Sequence, residues 1–100
     1  MKELPLPDGA ADDPDAQEMA RIWVTHADLL LSLNVGCYGG DGPGETTAWG
    51  DILADTIKHL AKAISQRTDI SPLKAQQEIM ARLNEALAAY QKDFSGQLKS

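Results

Sequence analysis

The apolar residues of this chain change their spacing across one glycine-rich segment, and this change constrains the fold most. Between Gly36 and Gly44, five glycines and one proline fall within nine residues, a density that interrupts regular structure. Before this glycine-rich loop, apolar and β-branched side chains alternate. After it, they recur with the period of a helix. The chain is therefore expected to be α+β, with strands first and helices second.

Two short strands are predicted before the glycine-rich loop. Residues 19–26 are rich in β-branched and aromatic side chains, and residues 29–35 place alternate leucines on one face. Residues 26–28 leave room only for a tight turn, so the strands should form an antiparallel hairpin. His26 at this turn is interpreted as a surface or turn-stabilising residue.

Two long helices are predicted after the loop. Thr46 or Thr47 is the expected N-cap of the first, whose apolar residues from Trp49 to Ile64 follow a 3.6-residue period. Ser71 and Pro72 are typical of the N-cap and first position of the second helix. Its apolar stripe has a heptad spacing, which favours a core-facing surface over a coiled-coil seam because Gln76 interrupts it. This stripe comprises Leu73, Gln76, Met80, Leu83, Leu87, Tyr90 and Phe94.

The predicted architecture is a β-hairpin covered on one face by two antiparallel helices. Residues 1–18 form an acidic arm rich in proline and aspartate, and residues 19–100 form a single α+β domain. The arm segment from Leu4 to Leu6 is a candidate edge segment that would extend the hairpin.

The charge distribution argues against nucleic acid as a partner. Of the net charge of -6, residues 1–18 contribute six acids and one base, and the remaining residues hold nine acids and eight bases. A nearly neutral body with an acidic arm lacks the basic surface that phosphate backbones require. No apolar run approaches the roughly 20 residues of a membrane span, and the first residues lack the apolar region of a signal peptide. The expected location is the cytoplasm.

Few residues have the type and spacing that a catalytic, phosphate-binding or metal site requires. The glycine-rich loop lacks the lysine of a phosphate-binding loop, and Asp41 and Glu45 place negative charge beside it. Asp51, Asp55 and His59 lie along one side of a helix, but their lysine neighbours favour a hydrated surface over a metal site. Cys37 is the only cysteine, which excludes an internal disulfide and multi-cysteine zinc sites. No catalytic residue, cofactor or metal is predicted.

Several short segments carry a resemblance to a known family. They are Met-Lys-Glu-Leu-Pro-x-Pro at the start, Ala-Arg-Ile-Trp-Val at residues 20–24, Ala48-Trp49-Gly50, Ala54-Asp55 and Lys58-His59. Over roughly residues 1–65, the chain resembles a family of small uncharacterised bacterial proteins classed as a domain of unknown function. The resemblance implies a bacterial cytosolic protein and no particular activity.

The function favoured by these observations is a non-enzymatic protein-interaction or regulatory module. The expected partner is a second copy in a homodimer, or another protein, because a two-stranded hairpin has edges that natural proteins block or pair. The alternative is a small-ligand or enzymatic pocket between the glycine-rich loop and the first helix. Its candidate residues are Cys37, Tyr38, Asp41 and Trp49.

Overall fold

The computed structural model describes residues 1–39 and 42–99, and its elements confirm the predicted α+β class. Strands β1 (Ala20–Val24) and β2 (Leu29–Leu33) form a two-stranded antiparallel sheet. Helices α1 (Gly42–Arg67) and α2 (Pro72–Lys99) follow. By its contacts, the chain divides into two units, Met1–Glu45 and Thr46–Ser100, which are described separately. Each unit contains one half-buried tryptophan, Trp23 in the first and Trp49 in the second.

The hairpin has the tight turn that its sequence predicts. The Thr25 amide donates a hydrogen bond to the Asp28 carbonyl at 2.8 Å, leaving His26 and Ala27 as the turn residues. The Thr25 hydroxyl also accepts a hydrogen bond from the Asp28 amide at 2.9 Å. Thr25, rather than His26, therefore supplies the turn-stabilising side chain.

The register sorts the hairpin side chains onto two different faces. Residues that pair across an antiparallel sheet share a face, and the pairs Ala20 with Leu33, Ile22 with Leu31 and Val24 with Leu29 are wholly apolar. We call these six residues the apolar face. The opposite face is mixed, with Arg21 paired to Ser32 and Trp23 paired to Leu30.

The burial expected on one face of the hairpin is not observed. The five large side chains of the apolar face each have more than half of their surface exposed, and so does Leu30 on the mixed face. Periodicity correctly indicated which residues share a face, but burial depends on what is placed against that face, which the period does not encode.

The N-terminal arm lies beside β1 without joining the sheet. Residues 1–7 have no strand structure, and within the described part of unit one no backbone hydrogen bond connects them to β1. Pro5 and Pro7 lack amide donors, which accounts for the missing ladder. Residues 8–15 contain turns and no helix or strand, as their aspartates, glycine and proline predict.

Helix α1 begins earlier than predicted. It starts at Gly42, inside the glycine-rich loop, and not after a cap at Thr46 or Thr47. Pro43 falls in the first helical turn, where a missing amide hydrogen costs no internal hydrogen bond and the fixed φ favours the helix. The segment without regular structure is therefore shorter than its glycine content predicts.

Helix α2 begins where predicted, but its heptad stripe is exposed instead of facing a core. The Ser71 hydroxyl accepts a hydrogen bond from the Lys74 amide at 3.2 Å, which confirms the N-cap. The helix continues through Gly96 to Lys99. The expectation that its heptad stripe faces a core is wrong for the described members that are large and apolar, which are exposed: Leu73, Met80, Leu83, Leu87 and Tyr90. The buried apolar residues of the described chain are Ala61 and Ala75.

Candidate functional site

Strand β2 carries an outer edge whose backbone groups are fixed by the hairpin register. Besides the bond at Thr25, the Asn34 amide donates to the Met19 carbonyl at 2.9 Å. Because hydrogen-bonded and non-bonded pairs alternate in an antiparallel ladder, residues 30 and 32 direct their amides and carbonyls toward β1. The amides and carbonyls of Leu29, Leu31 and Leu33 therefore point away from β1. We call this row the β2 edge.

The β2 edge lacks the usual devices that block strand pairing. Its sequence, Leu-Leu-Leu-Ser-Leu, contains no charge and no proline. Natural proteins protect such edges with lysine, proline, a bulge or a covering segment, because exposed ladder groups accept further strands. The three leucines of the edge also belong to the apolar face, so unsatisfied backbone groups and apolar side chains occur on the same residues.

The arm lies near the opposite edge, on β1, and contacts this strand through the Arg21 side chain. The Arg21 guanidinium contacts Glu3 at 3.0 Å and Glu18 at 3.0 Å, both through its terminal nitrogens. Hydrogen bonding to Glu18, reinforced by the charges of Glu18 and Glu3, raises the pKa of Arg21 above its ordinary value. A cleft of about 1030 Å³ lies between residues 1–7 and residues 20–25. Arg21, which stays protonated, thus connects β1 to the arm through ion pairs with Glu3 and Glu18.

The glycine-rich loop is held by one buried carboxylate. Glu45, in the first turn of α1, is 8% exposed, and its Oε1 accepts hydrogen bonds from the Gly36 and Tyr38 amides, both at 2.9 Å. Gly36 and Gly39 have φ values of 104° and 95°, in the left-handed region that favours glycine. This role of Glu45 is not predicted from the sequence, in which the residue stands out only as a negative charge that disfavours phosphate. An acidic residue in the first turn after a glycine-rich loop was the available signal.

Two buried polar atoms on α1 have no hydrogen-bond partner among the described residues. They are Glu45 Oε2 and Trp49 Nε1, an acceptor and a donor whose residues are four positions apart. Residues at this spacing occupy neighbouring positions on one side of a helix.

The four predicted pocket residues have different surroundings. The Cys37 thiol is exposed and donates a hydrogen bond to Gln17 Oε1 at 2.8 Å. Tyr38 is exposed, and its amide is bound by Glu45. Asp41 lies outside the described residues. Trp49 is half-buried and belongs to the second unit. A pocket formed by these residues stays a prediction.

The predicted row of acids and histidine contains one contact. His59 Nε2 lies 3.2 Å from Asp55 Oδ2, and both side chains are about 70% exposed. Within residues 1–39 and 42–99, no three His, Cys, Asp or Glu side chains are grouped so that they could hold a metal ion. The exposure of this pair fits the hydrated surface that its lysine neighbours predict.

A family comparison covers most of this arrangement. The model of the family described as a domain of unknown function, DUF5076, matches residues 3–90. The chain belongs to this family. The match includes the arm, the hairpin, the glycine-rich loop, α1 and most of α2, and so extends beyond the roughly 65 residues that carried the resemblance.

Solved structures show the same fold. A structure described as that of "a putative pyruvate dehydrogenase from the photosynthetic bacterium Rhodopseudomonas palustrus CGA009" aligns with a TM-score of 0.63 and 23% identity, covering 87% of this chain and 94% of that chain. At this identity the likeness shows the fold alone. No curated protein matches the chain. In the part of the chain that the structure describes, no helix has the length and apolar character to cross a membrane.

Proposed function

We propose that this DUF5076 chain is a non-enzymatic protein-interaction module that acts as a homodimer. The observation that carries the proposal is the exposed apolar face of the hairpin, in which every residue pair is apolar. An isolated two-stranded hairpin is marginally stable in water and gains stability from further strands or from packing on its apolar side. Exposed apolar surface of this kind is typical of a protein interface.

The free energy available from burying the apolar face is similar in size to the free-energy cost of association. Complete burial of a large aliphatic side chain contributes about 1.5–3 kcal/mol, so a half-exposed one has roughly 1 kcal/mol still to gain. The five large side chains of the apolar face are repeated in a second copy, which sets an upper limit of about 10 kcal/mol for a dimer that covers both faces completely. Association costs about 4–15 kcal/mol in lost freedom and side-chain ordering. Burial of the apolar side chains therefore at most balances the cost of association, and backbone hydrogen bonds between the two copies must supply the rest of the affinity.

The glycine-rich loop supports a binding module over a phosphate site. Anion-binding loops use free backbone amides, often at a helix N-terminus. In this chain the Gly36 and Tyr38 amides are already bound by the Glu45 carboxylate, whose charge also repels an anion. This observation counts against nucleotide chemistry at the loop.

Light scattering coupled to size exclusion tests the proposal. At micromolar concentration we expect a mass of twice the 10.8 kDa chain. Leu31→Gln, on the apolar face, should weaken the dimer by at least tenfold. Leu53→Gln is the matched control, because Leu53 lies on α1, outside the hairpin, and is 54% exposed against 53% for Leu31. A monomer mass at the highest soluble concentration, or equal effects of the two variants, would contradict the proposal.

A further inference from the structure

We propose that the β2 edge pairs with the β2 edge of a second copy, antiparallel and centred on Leu31, to form a four-stranded sheet. This inference rests on the proposed function, because it names the surface through which the homodimer forms. In the resulting strand order, the two β2 strands are adjacent at the centre and each β1 lies outside.

The two edges of the hairpin differ in their availability. The β1 edge has the arm beside it, held by the contacts of Arg21 with Glu3 and Glu18. The β2 edge has outward backbone groups at three alternate residues and no protecting charge or proline. Within the described residues of unit one, no backbone hydrogen bond reaches the β2 edge from outside the hairpin, whereas a strand that approaches β1 meets the arm held by Arg21.

The positions of the outward groups select the register. In an antiparallel pair related by a two-fold axis, outward groups must meet outward groups. Centring on Leu31 pairs it with Leu31 of the partner subunit, and pairs Leu29 with Leu33 of the partner subunit. The three pairs exchange about six backbone hydrogen bonds, the maximum for an edge of this length. Registers centred elsewhere leave outward groups unpaired.

The same register keeps the side chains compatible. Paired residues share a face, so the apolar face of one hairpin continues into that of the other; the side chains pack against each other along the junction, and the outer part of the face stays uncovered. Beyond the strand ends, Asp28 falls opposite Asn34 of the partner subunit, an acid opposite an amide. No like charges oppose each other along β2, since Leu29–Leu33 contains none.

A second copy fits the β2 edge better than an unrelated strand. The edge is symmetric in its chemistry, with leucine at both ends and at the centre of Leu29–Leu33. A two-fold axis through Leu31 therefore brings leucine opposite leucine at every hydrogen-bonded pair. Most small homo-oligomers have such a closed two-fold arrangement, in which one surface is complementary to itself.

A proline at an outward-facing position tests the edge directly. Leu31→Pro removes the central outward amide and retains the hairpin's own hydrogen bonds, because edge strands tolerate proline on the solvent side. Leu31→Val, which keeps the amide, is the matched control. We expect the valine variant to remain dimeric and the proline variant to be monomeric, or at least tenfold weaker in self-association, with an unchanged circular dichroism spectrum.

A disulfide test decides the matter even if the proline variant fails to fold. In the proposed register, Leu30 lies opposite Ser32 of the partner subunit at a non-hydrogen-bonded pair. The Cα atoms of such a pair are about 4.5 Å apart, within the range of a disulfide. Leu30→Cys and Ser32→Cys, each combined with Cys37→Ser, should form a mixed disulfide rapidly when combined and much more slowly when kept apart.

The outcomes separate this inference from the proposed function. A monomeric wild type refutes both. A dimeric wild type without the mixed disulfide refutes the β2 pairing and leaves the homodimer intact. A folded Leu31→Pro variant that remains a full-strength dimer refutes it equally. Loss of the dimer in Leu83→Glu, together with an absent mixed disulfide, would place the interface on the α2 stripe instead.

Discussion

Replacing Glu45 with alanine should destabilise the protein by about 2–3 kcal/mol. The change removes two hydrogen bonds from backbone amides to a carboxylate, at Gly36 and Tyr38. Hydrogen bonds to charged groups contribute about 1.5–3 kcal/mol each. The donors belong to exposed residues, so water can replace more than half of this loss, which leaves about 1.5–2 kcal/mol from the two bonds together. The carboxylate also interacts favourably with the N-terminal end of α1, by about 0.3–1 kcal/mol.

Glu45→Gln is the matched control for this prediction. Glutamine retains the shape of the side chain and one oxygen acceptor for the two amides, and it loses only the charge. We expect a cost of about 1 kcal/mol, because neutral hydrogen bonds are roughly half as strong as charge-assisted ones. The order of stability should therefore be wild type, glutamine variant, alanine variant.

Urea denaturation followed by circular dichroism measures these differences. All three proteins are compared at one concentration, because the proposed homodimer would make stability depend on concentration. The slope of the transition should be the same, since the change in exposed surface is small. If the alanine variant lies within about 0.5 kcal/mol of the wild type, the range of an ordinary surface substitution, then Glu45 does not hold the loop.

Two further predictions concern the N-terminal arm and the N-cap of α2. Arg21→Ala should release the arm, so that the backbone order parameters of residues 1–7 fall in NMR relaxation measurements, while Arg21→Lys should show a smaller effect because it lacks the planar fork that reaches both acids; equal order parameters in all three proteins would contradict the contact. Ser71→Ala should cost about 1 kcal/mol in thermal or urea unfolding through loss of the α2 cap, and Ser71→Asp should restore it; an unaffected alanine variant would show that the cap is unimportant.

Much of the fold could be predicted because it is local. The alternation of apolar residues predicts the hairpin, the turn length predicts its antiparallel pairing, and Ser71 with Pro72 predicts the start of α2. Each of these signals acts within a few residues. Helix α1 begins before the predicted cap because Pro43 favours a first helical turn, even though the surrounding glycines favour a loop.

The hydrogen bonds between the glycine-rich loop and Glu45 could not be predicted for a different reason. Glu45 binds amides that are nine and seven residues away, and whether a carboxylate reaches such donors depends on the path of the loop. The partners of surface ion pairs are likewise not predicted by residue spacing alone. Glu78 and Arg82 have the spacing of an i,i+4 pair, yet Arg82 contacts Glu85 at 3.2 Å. Competing surface pairs differ by only a few tenths of a kcal/mol, so spacing alone does not choose between them.

Burial was the largest difference between expectation and structure. A periodic stripe shows which side chains share a surface, and it contains no information on whether the covering surface belongs to the same chain. The leucines of β2 and of the α2 stripe have the pattern of core residues and are exposed. A chain that completes its core with a second copy has the same pattern as one that completes it internally.

The single tryptophan in each unit provides a built-in pair of fluorescence reporters. Trp23 lies in the hairpin unit and Trp49 in the helical unit, and both are half-buried. In Trp49→Phe, the remaining indole emission follows the hairpin alone, and in Trp23→Phe it follows the helices alone. Coincident unfolding curves would show that the two units melt as one cooperative system, and separate curves would assign a stability to each. If the sheet is completed by a second copy and the two units unfold separately, only the hairpin reporter should shift with dilution.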